Sequence, residues 1–419
     1  MGLLDSFFSK KDSQQKEPAP DYIPPVTATK NPKAAEELAA TAAALLQRGI
    51  TSGSKDLMRE ALANADRALA LDPDCYNAIQ FKVAILIMLD KDNRDNLLAA
   101  LACSERALTL EKENASMWFN KAGILENLGR YEEAIAAYDR SLACTSHPLD
   151  GQGRAIVAKG RTLEKMGRAD EALAVCGRVP ANDPSYGEAL EAKGRLFEKR
   201  GDREAALAAY REAGRVFMNK RSDGSAVECY DRVLALDPAD NDALYWKGAA
   251  LLNQFSRTHS PELFTQACAC IDRAIAKDPH HPGILTAKGR CMLDMNNIEQ
   301  SLQLFDRALA IRPADYEALM HKALALMRLM RYDEALVVID RICEAHPDSA
   351  APWSMKASIR VNQGNYAEGL NDIDQAIKRS ERDPRHWETR AQILRKLGRT
   401  AAAEESEEAV KRYSWFLRQ

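Results

Sequence analysis

The chain has 419 residues, enough for two or three domains, and its 58 basic and 61 acidic residues leave it close to neutral. That balance excludes bulk nucleic-acid binding, which needs a strongly basic face. Apolar residues make up 46% of the chain but aromatics only 6%, and this alanine- and leucine-rich composition favours closely packed helices.

The first 33 residues, opening MGLLDSFFSKK, turn polar and proline-rich after residue 8 and are expected to be disordered. Asp5 and Ser6 interrupt the apolar stretch, which is too short for a signal peptide. MGLLDS formally fits a myristoylation pattern. Residues 2–11 could also hook weakly onto a membrane surface or a partner, the plainer alternative being a frayed end. No run of 18 apolar residues occurs, so no transmembrane span is expected.

From about residue 34 the chain repeats itself. A small residue follows a turn and opens an apolar stretch at Ala61, Ala100, Ala134, Ala172, Ala206, Ala226, Ala267, Ser301, Ala335, Gly369 and Ala403; six of these ten intervals are 34 residues. Each unit reads as two amphipathic helices. In residues 115–142, Trp118, Ala122 and Leu125 give the first; Gly129 ends it, and Ala134, Tyr138 and Ser141 face back from the second. Prolines such as Pro73, Pro184, Pro238, Pro279, Pro313 and Pro347 mark unit ends. Insertions at 49–56, 90–96 and 255–261 are expected to be exposed loops.

The interval of 20 between Ala206 and Ala226 cannot hold a helix pair. The helix at 203–219 therefore serves twice, as the second helix of one unit and the first of the next, and NKRSDGS breaks it. This gives about 21 helices in two arms, 34–213 and 214–419, with an irregular or hinged stretch at 214–225.

The ensemble resembles the tetratricopeptide repeat family over residues 36–419. The resemblance implies an all-α, right-handed superhelical solenoid of 10–11 antiparallel helix pairs, with first helices lining a concave surface that holds partner peptides. One departure is lysine before the small residue of the first helix, at Lys82, Lys121, Lys159, Lys193, Lys247, Lys288, Lys322 and Lys356. The recurring AKGR motif around Gly160, Gly194 and Gly289 looks like a phosphate loop but follows no strand; these glycines are read as close helix–helix approaches.

Nothing assembles a catalytic centre. Gly151-Gln152-Gly153 lacks the third glycine and preceding strand of a dinucleotide site, and no hydrolase or zinc-protease motif occurs. The nine cysteines include no Cys-x-x-Cys pair and read as small core residues of a reducing, cytoplasmic compartment. The expectation is a non-enzyme without cofactor or metal, acting as a protein-interaction scaffold or adaptor.

Two linings are candidates. Arg161, Arg195, Arg215 and Arg290 follow or lie near the small residue and could receive acidic peptides; alternatively they form a solvated face paired with acids such as Glu164 and Glu198. In the C-terminal half, Tyr245, Leu252, Met320, Leu324, Met327, Met355 and Val361 could line an apolar partner groove, or belong in part to the core. Rival functions are a self-associating structural solenoid and a helical-repeat RNA binder, the latter disfavoured by the acidic balance.

An acid precedes six of the recurring lysines by 16 residues, as in Asp66/Lys82, Glu105/Lys121, Asp231/Lys247, Asp272/Lys288, Asp306/Lys322 and Asp340/Lys356. Constant spacing predicts ion pairs from one unit's second helix to the next unit's first. At the C-terminus Tyr413, Trp415, Phe416 and Leu417 cannot all face one side of a helix; the tail either folds back as a cap or docks a partner.

Overall fold

The structure is a computed structural model that describes residues 30–90, 93–144 and 151–416, with side chains to residue 414. The expectations for the N-terminal hook and for Trp415, Phe416 and Leu417 fall outside these limits. All regular secondary structure among the described residues is α-helical, in the 21 helices the repeat count predicts. They form two compact units, Met1–Phe217 and Met218–Gln419.

The first unit stacks five helix pairs. They are α1 (Pro32–Ser52) with α2 (Lys55–Leu71), α3 (Tyr76–Leu89) with α4 (Arg94–Leu110), α5 (Ala115–Asn127) with α6 (Tyr131–Ala143), α7 (Gly151–Lys165) with α8 (Ala169–Cys176), and α9 (Tyr186–Arg200) with α10 (Arg203–Asn219). In the second unit α11 (Asp223–Leu236) lies against α12 (Asn241–Thr258), which pairs with α13 (Pro261–Lys277). Then follow α14 (Pro282–Asp294) with α15 (Ile298–Ile311), α16 (Tyr316–Arg328) with α17 (Tyr332–Ala345), α18 (Ala351–Asn362) with α19 (Tyr366–Arg379), and α20 (Pro384–Lys396) with α21 (Thr400–Phe416).

Local chemistry explains the starts and stops. Asn114, Asp240 and Asp315 cap first helices by accepting from the amides of Met117, Ala243 and Ala318, satisfying donors that a helix start leaves free. Between most paired helices one residue turns left-handed; it is glycine at Gly53, Gly129, Gly167, Gly201, Gly364 and Gly398, and His259, Asn296 or Met330 at three others. Small residues then let the paired helices close up. A Cβ at Gly194 would lie 2.7 Å from the Tyr210 ring and one at Gly289 2.5 Å from Phe305. The Lys-Gly-Arg motif is thus a packing motif, as its lack of a strand implied.

Two sequence expectations are corrected. The insertions at 49–56 and 255–261 mostly lengthen helices, since α1 continues to Ser52 and α12 to Thr258. At α12 the extra turn is held helical by Phe255, whose ring lies 4.9 Å from Phe264 on α13. The break around NKRSDGS is also shorter than expected. α10 runs through Asn219 and α11 begins at Asp223, where the Asp223 carboxylate, 2% exposed, accepts from Asn253 and from Arg257 at 2.6 Å.

All six ion pairs expected from the 16-residue spacing form. Lys288 meets Asp272, and the other five span 2.5–2.9 Å. The lysine side chains are only 16–24% exposed while the acids are 50–57% exposed. Each lysine stem therefore covers apolar surface and carries its ammonium out to the acid. Two further rungs escaped the sequence reading. Arg390 replaces lysine and meets Asp374 at 2.8 Å, and Lys159 reaches Asp139, twenty residues back, at 2.5 Å.

Candidate protein-interaction face

In both units first helices lie side by side, α5 on α7 and α7 on α9 in one, and α12 on α14, α14 on α16 and α18 on α20 in the other. The two faces differ in chemistry.

On the first unit's face the charged groups satisfy one another. Glu126 on α5 is 5% exposed and accepts from Tyr138 at 3.1 Å, from Thr162 at 3.1 Å and from Lys165 on α7 at 2.7 Å. One helix along, Glu164 on α7 accepts from Lys199 on α9 at 2.6 Å and lies 3.8 Å from Arg195. Arg195 also bonds Glu191, and Arg215 meets Glu212 at 3.0 Å. These acids neutralise the arginines, though not the partners the sequence suggested: Glu164 serves α9 rather than Arg161, and Glu198 receives the Tyr210 hydroxyl at 2.8 Å. Arg161 is half-buried on α7.

The second unit's face is mostly apolar at the corresponding places. Arg290 on α14 donates to Asn253 Oδ1 at 3.0 Å, to the Leu252 carbonyl at 2.9 Å and to Ser256 at 2.5 Å, stitching α14 to α12. Arg328 on α16 donates to the Leu293 carbonyl at 2.8 Å. Leu252 is 1% exposed within the core shared by α12, α13 and α14, so it offers no surface to a partner, and the groove expectation is corrected there; the helical repeat alone does not separate inward from face-lining positions. Met320, Met327 and Met355 are half-buried against the α14–α18 core, and Val361 against the α18–α20 core. Leu324, between Met320 and Met327 on one stripe of α16, is 36% exposed.

Several titratable groups on these helices are shifted from their ordinary range. Tyr245 lies across the first turn of α14, where a Cβ at Gly283 would stand 2.8 Å from its hydroxyl. Burial raises its phenol, and the carboxylate of Glu317 adds to the shift. Glu317 itself is reached by solvent, yet surrounding protein desolvates it enough to raise its carboxyl, with Asp315 reinforcing the effect. Desolvation likewise raises Asp294, opposed by Arg290 and Arg328. His321 stacks on Phe305 with ring centroids 6.0 Å apart, and burial, then Arg290, push its imidazole down to about 4. Sequence reasoning missed His321, because a polar residue on a helix reads as solvated until neighbouring helices are in place.

Among the described residues no group of three or more histidine, cysteine or acidic side chains could hold a metal, and no helix is long and apolar enough to cross a membrane. Successive antiparallel helix pairs, tied by a periodic ion-pair ladder and presenting first helices side by side, define a helical-repeat protein. Tetratricopeptide repeat models match residues 90–148, 157–216, 286–350 and 354–415, more than half of the chain. The chain belongs to the tetratricopeptide repeat family. Residues 219–308 also match a model described as anaphase-promoting complex, cyclosome, subunit 3.

Over 115 residues the chain is 28% identical to Protein FlbA of Caulobacter vibrioides; the match takes in 27% of this chain and spans only 19% of that protein. Solved structures similar to it include yeast Tom70, at 16% identity, 88% of this chain, 84% of that chain and a TM-score of 0.40. Pseudomonas aeruginosa PilF is 15% identical over 52% of this chain and 99% of its own, with a TM-score of 0.42. MamA from Desulfovibrio magneticus RS-1 is 16% identical over 40% of this chain and 94% of its own, with a TM-score of 0.34.

Proposed function

We propose that the protein is a non-catalytic adaptor that seats a partner peptide or helix on the first-helix face of its second unit. The observation that carries this reading is Leu324, 36% exposed between half-buried Met320 and Met327 on one stripe of α16. A flexible apolar stripe beside Tyr245, Met355 and Val361 suits a ligand's apolar side chains. The first unit's face is a poorer candidate, because Glu126, Glu164 and Arg195 already engage one another across its helices. An acidic ligand on Arg195 or Arg290 would have to displace contacts within the fold.

The test is a random-peptide display selection on the full chain, repeated on Leu324→Glu. Leu324 is exposed, so the substitution should leave the helix content and melting temperature intact. Enriched peptides that bind the native chain and lose Leu324→Glu support the reading. Absence of enrichment, or indifference to Leu324→Glu, overturns it. Light scattering across a concentration series separates an adaptor, which stays at constant mass, from a self-associating solenoid.

A further inference from the structure

We propose that Cys268 on α13 and Cys291 on α14 are a redox modification site, closed by a peroxide into a reversible disulfide that staples two successive repeats. This inference does not depend on the adaptor reading.

The argument begins with the repeat. Residues 23 apart recur on the two sides of the contact between one unit's second helix and the next unit's first. Leu62 and Ile85, Leu101 and Ile124, and Leu336 and Ile359 each share one apolar cluster in this way. Cys268 and Cys291 occupy the same two places and share the cluster of α12, α13 and α14. The helix register agrees. Asp272, one turn after Cys268, meets Lys288, one turn before Cys291. Stepping one turn along each of these antiparallel helices sets the two cysteines opposite each other. Each thiol also acts on the ionisation of the other, as near neighbours do. Packing alone is served by leucine at the first place, and cysteine gives up apolar volume on both sides of one contact.

Exposure divides the roles. Both thiols are free, Cys268 half-buried and Cys291 0% exposed, so a small oxidant meets Cys268 first. Burial raises the Cys268 thiol, while Cys291 and the Lys288 ammonium pull it back down. Burial also raises Cys291, and Cys268 adds to that shift, which leaves Cys291 the resolving thiol. The Cys268 sulfur attacks one oxygen of hydrogen peroxide, the O–O bond breaks, and water leaves a sulfenic acid behind. The Cys291 sulfur then attacks the sulfenic sulfur, and its oxygen departs with the thiol proton as a second water. The two thiols lose one electron pair to become a disulfide, and the peroxide is reduced to water. In a repeat stack held by nearest-neighbour contacts, this bridge stiffens the part that carries Leu324.

The test treats the reduced full chain with hydrogen peroxide, then alkylates, digests and maps it by mass spectrometry. The expected product is a linked Cys268–Cys291 peptide pair that dithiothreitol returns to two thiols. Free thiols in the denatured chain should fall by two from nine. The oxidised chain should melt roughly 5 °C or more above the reduced one, and Cys268→Ser treated alike should show no rise. Cys291→Ala should instead accumulate a sulfenic acid at Cys268 that dimedone traps. Bridges to other cysteines, unreacted Cys268, a persistent sulfenic acid in the native chain, or a bridge without a rise in melting temperature each overturn the proposal. If Cys291→Ala does not fold, the bridge mapped in the native chain and its loss in Cys268→Ser decide the question.

Discussion

At the scale of single residues, the turn position between paired helices shows a local conflict. Six of these turns use glycine with φ between 66° and 81°, whereas Met330 adopts φ 58° and is 70% exposed. A left-handed conformation costs a residue with a Cβ roughly 1–2 kcal/mol, partly offset for glycine by its greater entropy when unfolded. Met330→Gly should therefore stabilise the protein by about 0.5–1 kcal/mol in urea unfolding, and Met330→Ala should give no gain. Equal effects of the two would remove backbone strain as the cause.

His321 is the residue whose titration should be visible in stability. Its ordinary pKa is ~6.5, and burial lowers it to about 4 in the folded chain. Between these values the unfolded chain binds a proton that the native chain does not, so stability falls as pH drops through that window and is retained above it. The loss should reach at most roughly 3 kcal/mol. Unfolding free energies at pH 7 and 4.5 should converge less for native protein than for His321→Phe; parallel losses would show that His321 does not titrate in this window.

At the scale of elements, the lysine ladder shows what a sequence makes readable. A contact between one unit's second helix and the next unit's first recurs at fixed spacing wherever the connection has a fixed length, so six rungs could be named in advance. The α6-to-α7 rung was hidden because its connection is longer and Lys159 pairs twenty residues back; the Arg390 rung was hidden by a change of cation. The interaction face was less legible. The sequence offered Met320, Leu324 and Met327 together with Leu252 as candidate lining, and only the packing of α12 against α13 and α14 removes Leu252 from that set. Each exposed rung should couple by ~0.2–1 kcal/mol. A double-mutant cycle at Asp272 and Lys288 measures this, and zero coupling would reduce the ladder to solvated charge.

The C-terminal helix is an element whose two expected roles can now be separated at one position. Tyr413 donates to Glu381 at 2.7 Å, and its ring stacks on Trp387 of α20 with centroids 6.3 Å apart. These contacts hold the end of α21 against α20. Removing residues 413–419 should lower the melting temperature while leaving the mass in light scattering unchanged. Unchanged stability with lost association would instead assign the tail to docking.

At the scale of the whole molecule, the chain forms two compact units whose boundary, Phe217–Met218, falls in the last turn of α10, just before the connection Lys220–Ser222. Repeat stacks draw their stability from nearest neighbours, so a cut between stacks costs less than a cut within one. The turns inside the stacks are guarded, since Arg130, Arg168 and Arg331 each open a second helix and clasp an acid three residues on, at 2.6, 2.6 and 2.5 Å. Arg221 forms no such clasp with a described residue, has φ 56° and is exposed. Trypsin should therefore cut at Lys220 or Arg221 before it cuts after Arg130, Arg168 or Arg331. Mass spectrometry of the earliest fragments should find products meeting at this junction, and both should keep helical circular dichroism. Earlier cleavage at one of the clasped arginines, or loss of helicity in either fragment, would show that the stacks are not independently stable.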